Sequence, residues 1–278
     1  MLWKNRRQSG NVEDRRSGTG KIAIGGIGTI VIAIIVWLLG GNPMEFLNNG
    51  QLQPNQAAST EIPENDTLAQ FVSVVLAETE DVWDSVFNVT GEKYVQPKLV
   101  LFRNSVQSAC GMASEASGPF YCPGDQKVYI DLGFCDEMKT KFGAPGDFAI
   151  AYVIAHEVGH HIQNQLGILE KASRLKSERD EKGANKIQVK VELQADFFAG
   201  VWAHHVAKYK HILEEGDAEE ALNAANAVGD DRLQKEFQGT VVPDAFTHGT
   251  SEQRMKWFMK GFKTGDIEQG NTLEARDL

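Results

Sequence analysis

The strongest periodic signal in the chain runs from Phe148 to Ile162. Phe148, Tyr152, Ala155, Val158, Gly159 and Ile162 recur every three or four positions, so "FAIAYVIAHEVGHHIQNQLG" is predicted to be a helix with one face in a core. Asp147, after Pro145 and Gly146, is the expected N-cap, and Gly167 the expected stop. A second long helix is predicted from about Asn185 to Lys210, with Ala195, Ala199 and Gly200 allowing another helix to approach closely. From Asp66, "DTLAQFVSVVLAETEDVWDSVF" also has helical period, and "KLVLF" after Pro97 reads as a first strand. "QKVYIDL", Gln126 to Leu132, alternates polar and apolar residues like a half-buried strand. Either it packs as ordinary sheet, or it forms an edge able to pair with an extended peptide; its place just before the first long helix favours the edge.

One stretch has no polar period at all. "IAIGGIGTIVIAIIVWLL", Ile22 to Leu39, carries no charge and would span about 27 Å as a helix, nearly one bilayer core. It meets Gly40, Gly41, Asn42 and Pro43 without a small-residue cleavage pattern, so an uncleaved anchor is expected rather than a secretory signal. Lys4, Arg6, Arg7, Arg15, Arg16 and Lys21 stand on its N-terminal side against Glu13 and Asp14, and no Lys or Arg follows until Lys93. By the positive-inside rule this predicts a basic cytoplasmic segment over 1–21, a membrane helix over 22–39, a tether rich in Asn, Gln, Gly and Pro over 40–65, and a folded domain over 66–278 outside. The expected location is a bacterial cytoplasmic membrane, crossed once, with the domain on the periplasmic or extracellular side.

Composition narrows the classes. With 278 residues, 42% of them hydrophobic, the chain can bury a sizeable core. Its net charge of −10 disfavours a nucleic-acid partner, and there is neither a glycine-rich phosphate loop nor a CxxC pair. Cys110 and Cys122 enclose a loop of mostly small residues, which makes them the expected disulfide of an exported domain; Cys135 is left over.

The periodic helix carries the chemistry. "HEVGH" places His156 and His160 one turn apart on one face, able to share a metal ion, and Glu157 beside the first of them as a general base for water. A third ligand is needed, with one position left open. Gln163 and Leu166 occupy the positions where a metzincin would have glycine and histidine, which excludes that arrangement. Downstream, "VELQADFFAG" puts Glu192 and Asp196 on one helix face: Glu192 as third ligand, Asp196 as acceptor for the spare ring N–H of a ligand histidine. Asp196, His161, His204, His205 and His211 are the rival ligands.

"HEVGHH" and "ELQAD" together resemble the thermolysin-like gluzincins in the ExxAD form of membrane metallopeptidases. With the apolar run, "GPFYCPGDQKVYIDL", "FGAPGDFA" and "THGTSEQR", the chain resembles the bacterial putative neutral zinc metallopeptidase family from about residue 1 to 265. The resemblance implies an α+β, zincin-like catalytic domain, mostly helical with a small sheet. It further implies Zn2+ held by His156, His160 and Glu192, and Glu157 as base. In "THGTSEQR" the resemblance makes His248 and Arg254 candidates for stabilising the oxyanion, with Tyr129 and Tyr152 as alternatives; Gly249 stands where such families have proline. The expected activity is a membrane-anchored zinc endopeptidase acting on peptide or protein substrates. The rival from another class is a noncatalytic, zinc-stabilised module that binds envelope proteins.

Overall fold

The computed structural model describes residues 1–16, 62–63, 65–114 and 118–278. The predicted anchor and nearly all of the predicted tether lie outside these residues. Among the described residues no helix is long and apolar enough to cross a membrane.

The protein is mostly helical with a small sheet. Strands β1 (Val12–Asp14), β2 (Lys98–Phe102), β5 (Phe120–Cys122) and β6 (Lys127–Asp131) form one sheet in the order β1-β2-β6-β5, while β3 (Ser105–Ser108) and β4 (Gly111–Ser114) form a separate hairpin. β1 and β6 run parallel to β2, and β5 runs antiparallel to β6. The strand expected at the edge is therefore interior: β6 pairs on both sides, and its Val128, Tyr129 and Ile130 are buried. The edge strands are β1 and β5, and the three residues of β5 are too few to show alternation. Cys122, at the end of β5, is bonded to Cys110. Cys135 is free and buried, and burial pushes its thiol up to about 12.

Helix α1 (Thr67–Thr90) begins where expected, with Asp66 accepting from Ala69 N–H at 3.0 Å. After the short α2 (Leu132–Thr140), α3 (Asp147–Gln165) carries the HExxH residues. Asp147 is its first residue rather than its cap. Gly146 precedes it with φ 120°, and a Cβ there would lie 2.1–2.4 Å from the Glu220 carboxylate. That carboxylate accepts from Phe148 N–H at 3.0 Å, so the cap comes from α6 (Asp217–Ala227). Gly167, with φ 71°, ends the segment as expected and leads into α4 (Ile168–Ser177).

Helix α5 (Glu181–His205) starts four residues earlier than predicted because Asp180 caps it through Gly183 N–H, and it finishes in a π-helical turn over Val206–Lys210. Small residues set its packing. A Cβ on Gly159 would meet Ala195 O at 2.9 Å, so α3 and α5 touch backbone to backbone beside the HExxH residues. Gly200 serves a different neighbour, Phe258 of α8 (Ser251–Thr264), where a Cβ would lie 2.0 Å from a carbonyl oxygen.

Residues 1–16, from the basic segment expected over 1–21, pack on this body. Val12, 1% exposed, packs in the core, and β1 extends the sheet. The Met1 ammonium sits among Asp147, Glu214 and Asp217; burial opposes its charge, but the three carboxylates push its pKa up to about 10. Glu80 on α1, 1% exposed, accepts from Arg7, Ser9 and Asn11. Stripping the partners from a carboxylate so buried costs about 3–5 kcal/mol.

Candidate metal centre

Two helices make the site. His156, Glu157 and His160 lie on α3, and Glu192 and Asp196 on α5, brought together by the Gly159–Ala195 contact. Glu192 Oε2 stands 3.2 Å from His156 Nε2 and 3.4 Å from His160 Nε2. One donor atom from each of the three lies within 4.8 Å of the others, the spacing of a cation site. The other Glu192 oxygen accepts from Gln188 at 2.8 Å, which leaves Oε2 for the ion.

Each imidazole is held from behind. His156 Nδ1–H points to Asp196 Oδ1 at 2.8 Å, and His160 Nδ1–H to Gln163 Oε1 at 2.8 Å. Fully buried Gln163 spends its N–H groups on Val191 O (2.7 Å) and Gln194 Oε1 (3.0 Å), so its oxygen must face His160. Held so, both histidines turn Nε2 toward Glu192, the atom each would present to a metal. Burial disfavours charge on His156, but Asp196 and Glu192 outweigh it and push its pKa up to about 10; the histidines in turn hold Glu192 well below the usual carboxylate range. Two imidazole nitrogens and a carboxylate oxygen, converging with their second atoms occupied, suit zinc with three protein ligands.

Asp196 has more partners than a tuning acceptor needs. Besides His156 it takes Tyr152 O–H at 2.5 Å and Arg254 through Nε at 2.8 Å and Nη2 at 2.9 Å, all buried. Burial alone would raise its pKa, but Arg254 and His156 overcome that and hold it far below the usual value. Arg254 Nη1 donates to Val228 O at 3.2 Å. Arg254 and Tyr152, the other candidates for the scissile carbonyl, also line the cleft over the cluster, and there their donors bond Asp196. Tyr129 bonds Asp125 at 2.7 Å and is not among the residues lining the cleft over the cluster.

His248 does line that cleft, with its side chain half exposed. Asp230, at the start of α7 (Asp230–Gln238), accepts from the backbone N–H of Thr247, His248 and Gly249 at 2.7, 2.6 and 3.0 Å, and from His248 Nδ1–H at 3.2 Å. The bond to Asp230 outweighs burial and raises the His248 pKa. Gly249 has φ 94°, which proline cannot adopt, and this accounts for glycine at that position.

The rival ligands lie elsewhere. His161 is held between Tyr121 O–H at 3.1 Å and Val95 O at 2.6 Å, and burial lowers its pKa. His204 and His205 bond the carbonyls of Phe262 and Gly265 at the far end of α5, where His211 follows. The cleft, about 580 Å3, runs over His156, Glu157, His160 and Glu192 between Phe120 and Tyr121 of β5 on one side and Leu169 and Ala172 of α4 on the other.

Residues 1–273 match the family model described as putative neutral zinc metallopeptidase, and the chain belongs to that family. It is 50% identical to the uncharacterized protein YpfJ of Escherichia coli K12, over 98% of this chain and 99% of that protein. It is 41% identical to the uncharacterized protein Rv2575 of Mycobacterium tuberculosis, over 75% of this chain and 73% of that protein. No solved structure matches it. The family implies a zinc cofactor, and His156, His160 and Glu192 are a group able to hold it.

Proposed function

We propose that the protein is a zinc-dependent endopeptidase of gluzincin type, with a zincin-like domain attached to a membrane through residues 22–39. The observation that carries this reading is the placement of Glu157 beside the His156–His160–Glu192 cluster on the floor of an open cleft. When bound, zinc lowers the pKa of a water molecule and polarises the scissile carbonyl. Glu157 takes the proton from that water and passes it to the leaving amine nitrogen. His248, oriented by Asp230, which also raises its pKa, donates to the carbonyl oxygen as negative charge develops there. Asp196, kept ionised by Arg254, fixes the His156 ring, and Gln163 fixes that of His160. An extended substrate is held along the free edge of β5, whose other edge is taken by β6. The Cys110–Cys122 bridge supports an oxidising, exported location for the domain. A noncatalytic binding module would have no use for a carboxylate at Glu157.

The test is digestion of a peptide library by the full-length protein in detergent. Internal cleavage that a zinc chelator stops and added zinc restores is the expected result. An intact library with fully zinc-loaded protein would turn the reading toward the binding module.

A further inference from the structure

The N-terminal segment occupies a docking site built for it on the domain. The floor of this site is the edge of β2 and the wall is α1. Backbone bonds run from Leu99 N–H to Asn11 O at 2.9 Å and from Arg15 N–H to Leu101 O at 2.8 Å, on either side of the three paired positions of β1. Ser9 and Ser73 exchange two further bonds, N–H to O at 3.1 Å and O–H to O at 3.2 Å. The arginines that read in sequence as a free basic flank all have carboxylate partners. Arg6 bonds Glu78 at 2.6 Å; Arg7 bonds Glu80 at 3.0 Å and Asp81 at 2.7 Å; Arg15 bonds Glu13 at 2.6 Å; Arg16 bonds Asp14 at 2.5 Å and Asp66 at 2.6 Å. Glu78 and Glu80, 3% and 1% exposed, make this wall acidic where the segment lies against it.

We infer that residues 1–16 share the compartment of the metallopeptidase domain. The positive-inside rule counts cations that stay free to hold a flank in the cytoplasm. Here Arg6, Arg7 and Arg16 are paired with carboxylates of the domain and Arg15 with Glu13 of the segment itself, and the Arg16–Asp66 pair ties the two ends of the intervening chain together. A single crossing by residues 22–39 would put β1 and β2 on opposite faces of the bilayer and leave Glu80 buried or bare without Arg7, Ser9 and Asn11. The inference bears on the topology given above for the membrane segment and is independent of whether the domain hydrolyses peptides.

Two single-cysteine reporters in the full-length chain decide it. Gly10→Cys sits in the segment where an added Cβ meets nothing within 4 Å, and Val89→Cys sits on α1 where the side chain is 89% exposed. The native cysteines contribute little background, two being bonded and the third buried. A membrane-impermeant maleimide is applied to intact spheroplasts, to spheroplasts after the membrane is opened, and to detergent lysate, where both reporters must label. Equal labelling of both reporters in intact spheroplasts is the expected result. Labelling of both only after opening would keep the shared compartment and move it to the cytoplasm. Labelling of Val89→Cys in intact spheroplasts with Gly10→Cys protected until opening would overturn the inference. Recovery of the protein in the soluble fraction, with equal labelling, would remove the membrane attachment and leave the shared compartment standing.

Discussion

Glu157→Gln is expected to keep zinc at about one per chain and to lose peptide hydrolysis by at least about 100-fold, the scale on which general base catalysis operates. The amide has the shape of the carboxylate and nearly its volume, so the cleft floor is preserved. It cannot accept a proton from water or return one to the leaving amine. Glu157 is 7% exposed and lines the cleft, yet it is not one of the three residues whose donor atoms converge, so its loss should not disturb the ion. Parallel zinc content and cleavage rates check this. Loss of zinc in the variant would make Glu157 a ligand, and retention of cleavage would remove it from the reaction.

The second large effect separates ligand from support. Glu192→Ala should leave less than about a tenth of the zinc after dialysis, because it deletes one of three protein donors and opens a gap beside His156 and His160. Asp196→Asn should retain much of the metal, with affinity weakened about 10–100-fold, since His156 still presents Nε2. Its larger penalty is to the fold. Arg254 would keep a buried guanidinium with no counter-charge, which costs about 3–5 kcal/mol and shows as a lowered melting temperature. Adding Arg254→Met should recover part of that loss, because the two changes then remove both charges. If Asp196→Asn empties the site while Glu192→Ala leaves it full, the two carboxylates have exchanged roles.

The metal cluster was legible because its spacing is local. His156 and His160 share a helix face by arithmetic alone, and Glu192 and Asp196 do the same on a second helix. The supports were not legible, because their partners arrive from far along the chain. Asp230 opens α7 and carried no signal in the sequence, yet it accepts from backbone N–H groups 17 to 19 residues later. Gln163 stood in view, three residues after His160, and a buried amide at that spacing is a signal that could have been used. Arg254 matched a pattern that suggested substrate contact; only the fold reveals that Asp196 lies within reach of both its Nε and Nη2. β6 alternates like an edge strand but is buried between β2, which precedes it by some thirty residues, and β5, too short to announce itself. The partners of the N-terminal arginines were hidden for the same reason: a run of arginines looks alike whether it faces water or carboxylates on a helix 70 residues away.

The measurement closest to the centre of this account is the zinc X-ray absorption edge of the purified full-length protein, taken with its metal content. The expected result is one zinc per chain with only nitrogen and oxygen neighbours at about 2.0–2.2 Å, including the outer-shell scattering of two imidazoles, and loss of one light-atom neighbour or of the zinc itself in Glu192→Ala. A sulfur shell at about 2.3 Å, or protein that remains free of zinc after incubation with it, would contradict the assignment of His156, His160 and Glu192 as the metal centre.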